Sequence, residues 1–224
     1  MKKNFALVGI LAGSLALAAG IAAKPGKWMQ IFDGKSTKGW HSYLKKDVQG
    51  WTIEDGTLMT NGKGGDLVTD QEFENFELEF EFKAQPKGNS GVIYKVIEAP
   101  ENAQPYMSGP EFQVIDDVNY PAKLNDVQKT GANYDMIPPS TLSATKPAGE
   151  WNKGRILVNQ NHVEHWLNGQ KVVEYEYGTD AWKEMVAKSK FAKWGYAQAH
   201  AKGRLALQGH GDTAWFRNLR VREL

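Results

Sequence analysis

Seven consecutive residues, Phe76 to Phe82 (FELEFEF), alternate without a break, with Phe76, Leu78, Phe80 and Phe82 on one parity and Glu77, Glu79 and Glu81 on the other. Successive side chains of a strand point to opposite faces, so this segment reads as a strand with its aromatic face in a core and its glutamates in solvent. The same logic recurs along the chain. Trp51-Thr52-Ile53, the turn Glu54-Asp55-Gly56 and Thr57 to Thr60 read as a hairpin, and Asn168-Gly169 joins Val163 to Leu167 and Lys171 to Tyr177 as a second one. The last run, Ala214 to Leu224, reads as a strand with Arg217, Arg220 and Arg222 exposed. Only Ala181 to Ala192 suits a helix, with Trp182, Met185, Val186 and Phe191 on one side. Many short strands, no repeat and no linker predict an all-β, two-sheet jelly-roll sandwich with one short helical insertion.

Residues 1–23 are set apart from this pattern. Lys2 and Lys3 precede an apolar run from Phe5 to Ala19, and small residues follow at Gly20 to Ala23, the order of a cleaved secretory signal peptide. Residues 24–224 then form one domain, exported to the periplasm or beyond, without stable membrane association once the leader is gone. The chain has no cysteine, so neither a disulfide nor a lipid-modified cysteine contributes, and the core alone must hold the domain. Losing the two leader lysines takes the balance from 27 basic against 26 acidic residues to 25 against 26, which leaves no global field for nucleic acid.

Polar residues interrupt the simple alternation in Gly88 to Val96, Pro110 to Asp116 and Gly203 to Gly211. Glu111 and Gln113 share a face opposite Phe112 and Val114, and Gln208 shares one with His210 opposite Leu205 and Leu207. Such faces line a polar groove or are simply solvated. The Pro-, Asn- and Ser-rich stretch from Asp117 to Glu150 is long for a loop in a compact domain and is expected to border that groove. His162 and His165 lie three apart on a strand, on opposite faces, and do not form a metal pair.

Ordered blocks carry a resemblance. Phe32-Asp33-Gly34 with Gly39-Trp40, Trp51 with Asp55-Gly56, Asn75-Phe76-Glu77-Leu78 and Gly88-Asn89-Ser90-Gly91-Val92 come first. Glu111 to Asp116 (EFQVID), Lys146 to Asn152 (KPAGEWN), Leu167-Asn168-Gly169, Leu207 to Gly211 (LQGHG) and Phe216-Arg217-Asn218-Leu219 follow. Together they resemble the 3-keto-disaccharide hydrolase family over nearly the whole chain after the leader. The resemblance implies a concanavalin A-like jelly roll, export, and action on glycosides oxidised to a ketone at sugar carbon 3. Similar proteins commonly carry Arg where this chain has Lys95, and a lysine lacks the bidentate fork.

A ketone at carbon 3 acidifies the proton on carbon 2. A base can remove it, the group on carbon 1 leaves, and water adds back, which needs a base, an acid and an enolate donor. Glu111 or Asp116 is the candidate base, and His210 the acid that exchanges a proton with the leaving oxygen. Lys95 or Arg217 is the candidate enolate stabiliser, and Gln113, Gln208, Asn89 and Ser90 are the candidate hydroxyl ligands. Each has a plainer role: turn amides for Glu111, a loop cap for Asp116, a turn for His210, Asn89 and Ser90, and a cross-strand pair for the glutamines. No cofactor is certain, and a divalent metal on Glu111, Asp116 and His210 stays open. The carbohydrate partner fits an enzyme or a lectin-like binding module; an envelope interaction scaffold is a third class, and oligomeric state stays open.

Overall fold

The computed structural model describes residues 25–224, so the leader assigned to residues 1–23 lies outside the described residues. Thirteen strands build two antiparallel sheets. In chain order they are β1 (Met29–Gln30), β2 (Trp40–Ser42), β3 (Trp51–Glu54), β4 (Thr57–Thr60), β5 (Leu67–Phe73), β6 (Phe76–Ala84) and β7 (Asn89–Val96). After these come β8 (Glu111–Ile115), β9 (Asn152–Asn159), β10 (His162–Leu167), β11 (Gln170–Glu176), β12 (Gly203–Leu207) and β13 (Ala214–Glu223). One sheet runs β11-β10-β9-β6-β13-β4-β3, with β1 against β13; the other runs β2-β5-β12-β7-β8. This is the expected two-sheet sandwich.

Phe76, Leu78, Phe80 and Phe82 of β6 are at most 2% exposed, and Phe80 and Phe82 meet Phe112 of β8 across the sandwich, Phe80 edge-on at 5.3 Å. Both expected hairpins form. Asp55 and Gly56, and Asn168 and Gly169, all take positive φ, the backbone that a two-residue turn between twisted strands requires.

The glutamate face of β6 departs from the solvated expectation. Glu77 is only 3% exposed and is held by Arg155 at 2.8 Å and by Arg222 at 2.7 Å. Glu79 pairs with Arg220, and Glu81 with Arg217, each at 2.8 Å. Register explains the ladder, since β13 sets Arg217, Arg220 and Arg222 directly opposite these three acids.

The helix α1 spans Asp180–Ala187, shorter than expected, with Thr179 capping the Trp182 amide at 3.3 Å. It stops because Ser189 caps a separate 3-10 turn, Lys190–Lys193, which carries Phe191. Trp182 lies 5.5 Å from Tyr196 and 4.8 Å from Tyr177, so the insertion is anchored in the core rather than laid on the surface. Removing the Trp182 ring would cost about 3–5 kcal/mol. No helix among the described residues is long and apolar enough to cross a membrane.

Candidate active site

The outer face of the five-stranded sheet carries two adjacent rows of side chains. Val68, Ala206, Ile93 and Glu111 are register partners across β5, β12, β7 and β8. The first three belong to a small apolar cluster with Tyr43 and Val96, against which Tyr106 packs. The neighbouring row is Asp66, Gln208, Gly91 and Gln113. Gly91 opposes Gln113, the Gln208 amide donates to the Gly91 carbonyl at 2.9 Å, and the Gly209 amide donates to Asp66 Oδ1 at 2.8 Å. Strands stand about 4.8 Å apart, so the polar row crosses the sheet in steps of that size.

Glu111 belongs to the apolar row but leans into the polar one. It can do so because Gly91 has no side chain: a Cβ there would stand 2.2 Å from Glu111 Oε1. The residue is 5% exposed, and burial first, then the Asp66 charge, push the carboxyl pKa up to about 8. Lys190 pulls the other way with a smaller effect, engaged with Asp135 at 2.8 Å and set over the Tyr134 ring. No hydrogen bond reaches the Glu111 carboxylate.

Asp66 was not among the sequence candidates. It is 5% exposed, and burial raises its pKa to about 6 against the single bond from Gly209. Its Oδ2, Gln208 Oε1 and Asn89 Oδ1 are all buried without a hydrogen-bond partner. Gln113 Oε1 accepts from the Val114 amide at 3.0 Å, which fixes the side chain. Two half-buried aromatics, Tyr106 on the small apolar cluster and Trp194 beside it at 5.8 Å, were not singled out from sequence. The long loop runs beside β8 as expected of a border: the Tyr134 amide donates to Glu111 O and the Gly131 amide to Gln113 O.

The structure thus brings Glu111, Gln113, Gln208 and Asn89 to one face, while His210 is exposed two residues beyond Gln208, past the end of β12. The other candidates lie elsewhere. Asp116 sits five residues beyond Glu111, roughly 16 Å of extended strand away and on the opposite parity. Although burial raises its pKa, amides of Lys87, Asn119 and Val118 outweigh that and hold it low, so it caps the loop. It cannot share a metal ion with Glu111. Ser90 faces inward, and its hydroxyl donates to Gln208 O at 2.7 Å.

Lys95 adopts φ +56° at a β-bulge, which swings its side chain off this face to the carbonyls of Glu74 (3.2 Å) and Ala201 (2.5 Å). Burial there lowers its pKa to about 8. Arg217 belongs to the other sheet, paired with Glu81 and stacked over Trp151 at 4.0 Å.

His162 and His165 do point to opposite faces. His165 is fully buried between the Tyr94 hydroxyl and the Gly131 carbonyl, whereas His162 meets Glu176 outside. Among the described residues His162, Glu164 and Glu174 form the one three-residue group with metal-ligand spacing, but Lys171 already supplies a cation to both acids. A cleft of about 600 Å³ lies on the sheet that holds β6 and β13, beside Trp166 and the ion ladder and away from Glu111.

Residues 27–222 match the family described as the 3-keto-alpha-glucoside-1,2-lyase-like domain. The chain is similar to a 3-keto-disaccharide hydrolase of Bacteroides thetaiotaomicron, 39% identical over 228 residues, which covers 88% of this chain and 78% of that protein. A crystal structure of a candidate glycosyl hydrolase from Parabacteroides distasonis superposes with a TM-score of 0.83 at 36% identity, covering 88% of this chain and 94% of that one. A second such structure from the same organism gives 0.68 at 29% identity, covering 88% and 100%.

Proposed function

The chain belongs to the family of 3-keto-alpha-glucoside-1,2-lyase-like domains, and from that premise we propose that it is an enzyme that cleaves the glycosidic bond of 3-keto-glycosides or 3-keto-disaccharides. The observation that carries this reading is the Glu111 carboxyl, buried and without a hydrogen bond, with its pKa raised to about 8. A base in that range matches the task of taking a proton from carbon 2 beside a ketone, where a fully solvated glutamate is too weak.

In the proposed reaction Glu111 takes the carbon-2 proton, and the electron pair moves into the carbon 2–carbon 3 enolate. The enolate then expels the carbon-1 oxygen, leaving a carbon 1–carbon 2 double bond conjugated to the restored ketone. His210, exposed past the end of β12, protonates the leaving oxygen. Water gives a proton back to His210 as its oxygen adds at carbon 1, and carbon 2 regains its proton from Glu111. The sum is glycoside plus water to 3-keto-sugar plus alcohol. The Gln113 amide, fixed by its bond to the Val114 amide, and Lys190, whose charge acts on Glu111, are groups suited to the enolate oxygen. Tyr106 and Trp194 supply apolar rings for the sugar face.

Export by the leader of residues 1–23 is part of the proposal, supported by the charged, apolar and small-residue order of that segment. The assay follows alcohol release from 3-keto-glucosides and from the same glycosides unoxidised, with wild type and Glu111→Gln. Release from the keto compounds alone, lost in the variant, is the expected result. Saccharide binding without release from any keto-glycoside would instead leave a binding module.

A further inference from the structure

We infer that Asp66 and Gln208 orient the sugar ring, accepting the hydroxyl hydrogens at carbons 4 and 6 while Glu111 faces carbon 2. The inference rests on the proposed function and adds the groups that aim the substrate.

Three acceptor oxygens, Asp66 Oδ2, Gln208 Oε1 and Asn89 Oδ1, are buried on this face with no donor in the protein. An unsatisfied buried acceptor is costly, so such a set points to a ligand that brings donors. Carboxylate or phosphate ligands bring none and would meet the charges of Asp66 and Glu111. Sugar hydroxyls bring one each. The ring hydroxyls of a 3-keto-glycoside are those at carbons 2, 4 and 6. The one at carbon 2 stays on the reacting carbon beside Glu111, which leaves those at carbons 4 and 6 for acceptors farther along the row.

The register places the two acceptors on neighbouring positions, one strand step apart, with Gly91 next in the row. The Glu111 carboxyl fills the space over Gly91. A ring anchored at Asp66 and Gln208 therefore extends toward Glu111. Asp66 has a second effect on the same site, since its charge helps to raise the Glu111 pKa.

The test is a cycle of substrates against variants in the full chain. Wild type is assayed on a 3-keto-glucoside and on its 4-deoxy and 6-deoxy analogues, beside Asp66→Asn and Gln208→Ala, with folding followed by thermal melting. Loss of one hydroxyl should lower kcat/KM about 100-fold or more in wild type. Asp66→Asn should lower kcat/KM on the parent similarly, and one of the two analogues should then match the parent within a few-fold, because the partner is already gone. Gln208→Ala should do the same for the other. Variants that are equally impaired on all three substrates overturn the inference, as does wild type that cleaves them equally well. Loss of saccharide binding on chelation by EDTA also overturns it, by giving these oxygens to an ion.

Calorimetry of methyl glucoside and its deoxy analogues on Glu111→Gln keeps this test separate from the fate of the reaction. Discrimination among the analogues there supports the clamp even if no keto-glycoside is cleaved. Equal binding of all three overturns the clamp even if cleavage occurs.

Discussion

The Glu111 carboxyl fills the space that a side chain on Gly91 would take, with Oε1 2.2 Å from where that Cβ would stand. The atom that must yield is the end of a flexible side chain and not backbone, so Gly91→Ala should fold. It should displace the carboxyl by an ångström or more from a site where such a shift costs on the order of 100-fold in rate. The expected result is a near-normal melting temperature with kcat/KM on a 3-keto-glucoside down about 100-fold. An unchanged rate would show that the carboxyl works from another position.

Glu111 should also leave a signature in stability. Burial favours its protonated form, so the folded protein keeps a proton that the unfolded chain releases above its ordinary value of 4.5. Stability therefore falls as pH rises from about 4.5 to about 8 and levels off above, where both states are ionised. Glu111→Gln lacks this titration. Its advantage over wild type in urea midpoint should grow between pH 5 and pH 8, reaching on the order of 3 kcal/mol. In wild type the same proton should appear as a rise in kcat/KM with an apparent pKa near 8, shared with Asp66 because the two carboxyls titrate as a coupled pair.

The alternation of residues foretold the strands and both tight turns, and it placed Glu111 with Gln113 correctly, because period-two counting holds along an unbroken strand. It failed for Lys95, where a bulge at φ +56° re-aims the side chain. It also failed for Arg217, since alternation gives a face but not the sheet: β13 joined the sheet opposite to β8 and β12. Asp66 carried no signal of its own. An acid after Gly64-Gly65 reads as a turn residue, and it becomes part of the groove only through contact with Gly209, 143 positions away.

Lys95 should matter for stability and not for turnover. Its ammonium ties the Glu74 carbonyl to the Ala201 carbonyl, joining the end of β5 to the segment that leads into β12. Lys95→Met keeps the length but leaves both carbonyls without this donor, a loss of about 1–3 kcal/mol. Because burial lowers the lysine pKa to about 8, the unfolded chain holds the proton more tightly, and wild-type stability should rise between pH 8 and pH 10.5. Lys95→Met should lack that rise, while kcat at saturating substrate stays within about two-fold of wild type. A large fall in kcat would return Lys95 to the reaction.

Asp116 separates a loop cap from a base. Its two oxygens accept the amides of Lys87 at 2.8 Å, Val118 at 3.1 Å and Asn119 at 3.0 Å, so an asparagine must turn an NH2 group toward one of these donors. Asp116→Asn should therefore lose about 1–2 kcal/mol at pH 7. Those bonds outweigh burial and hold the carboxyl below its ordinary 3.8, so its contribution is present above that value and is lost as pH falls through the lowered folded pKa. The stability gap between wild type and Asp116→Asn should accordingly close under strongly acidic conditions. Aglycone release at pH 7, measured well below the melting temperature, should survive the substitution, because the carboxylate proposed to face the sugar is Glu111. If release disappeared in a folded Asp116→Asn while Glu111→Gln retained it, the roles of the two acids would be exchanged and the groove around Gly91 would lose its base.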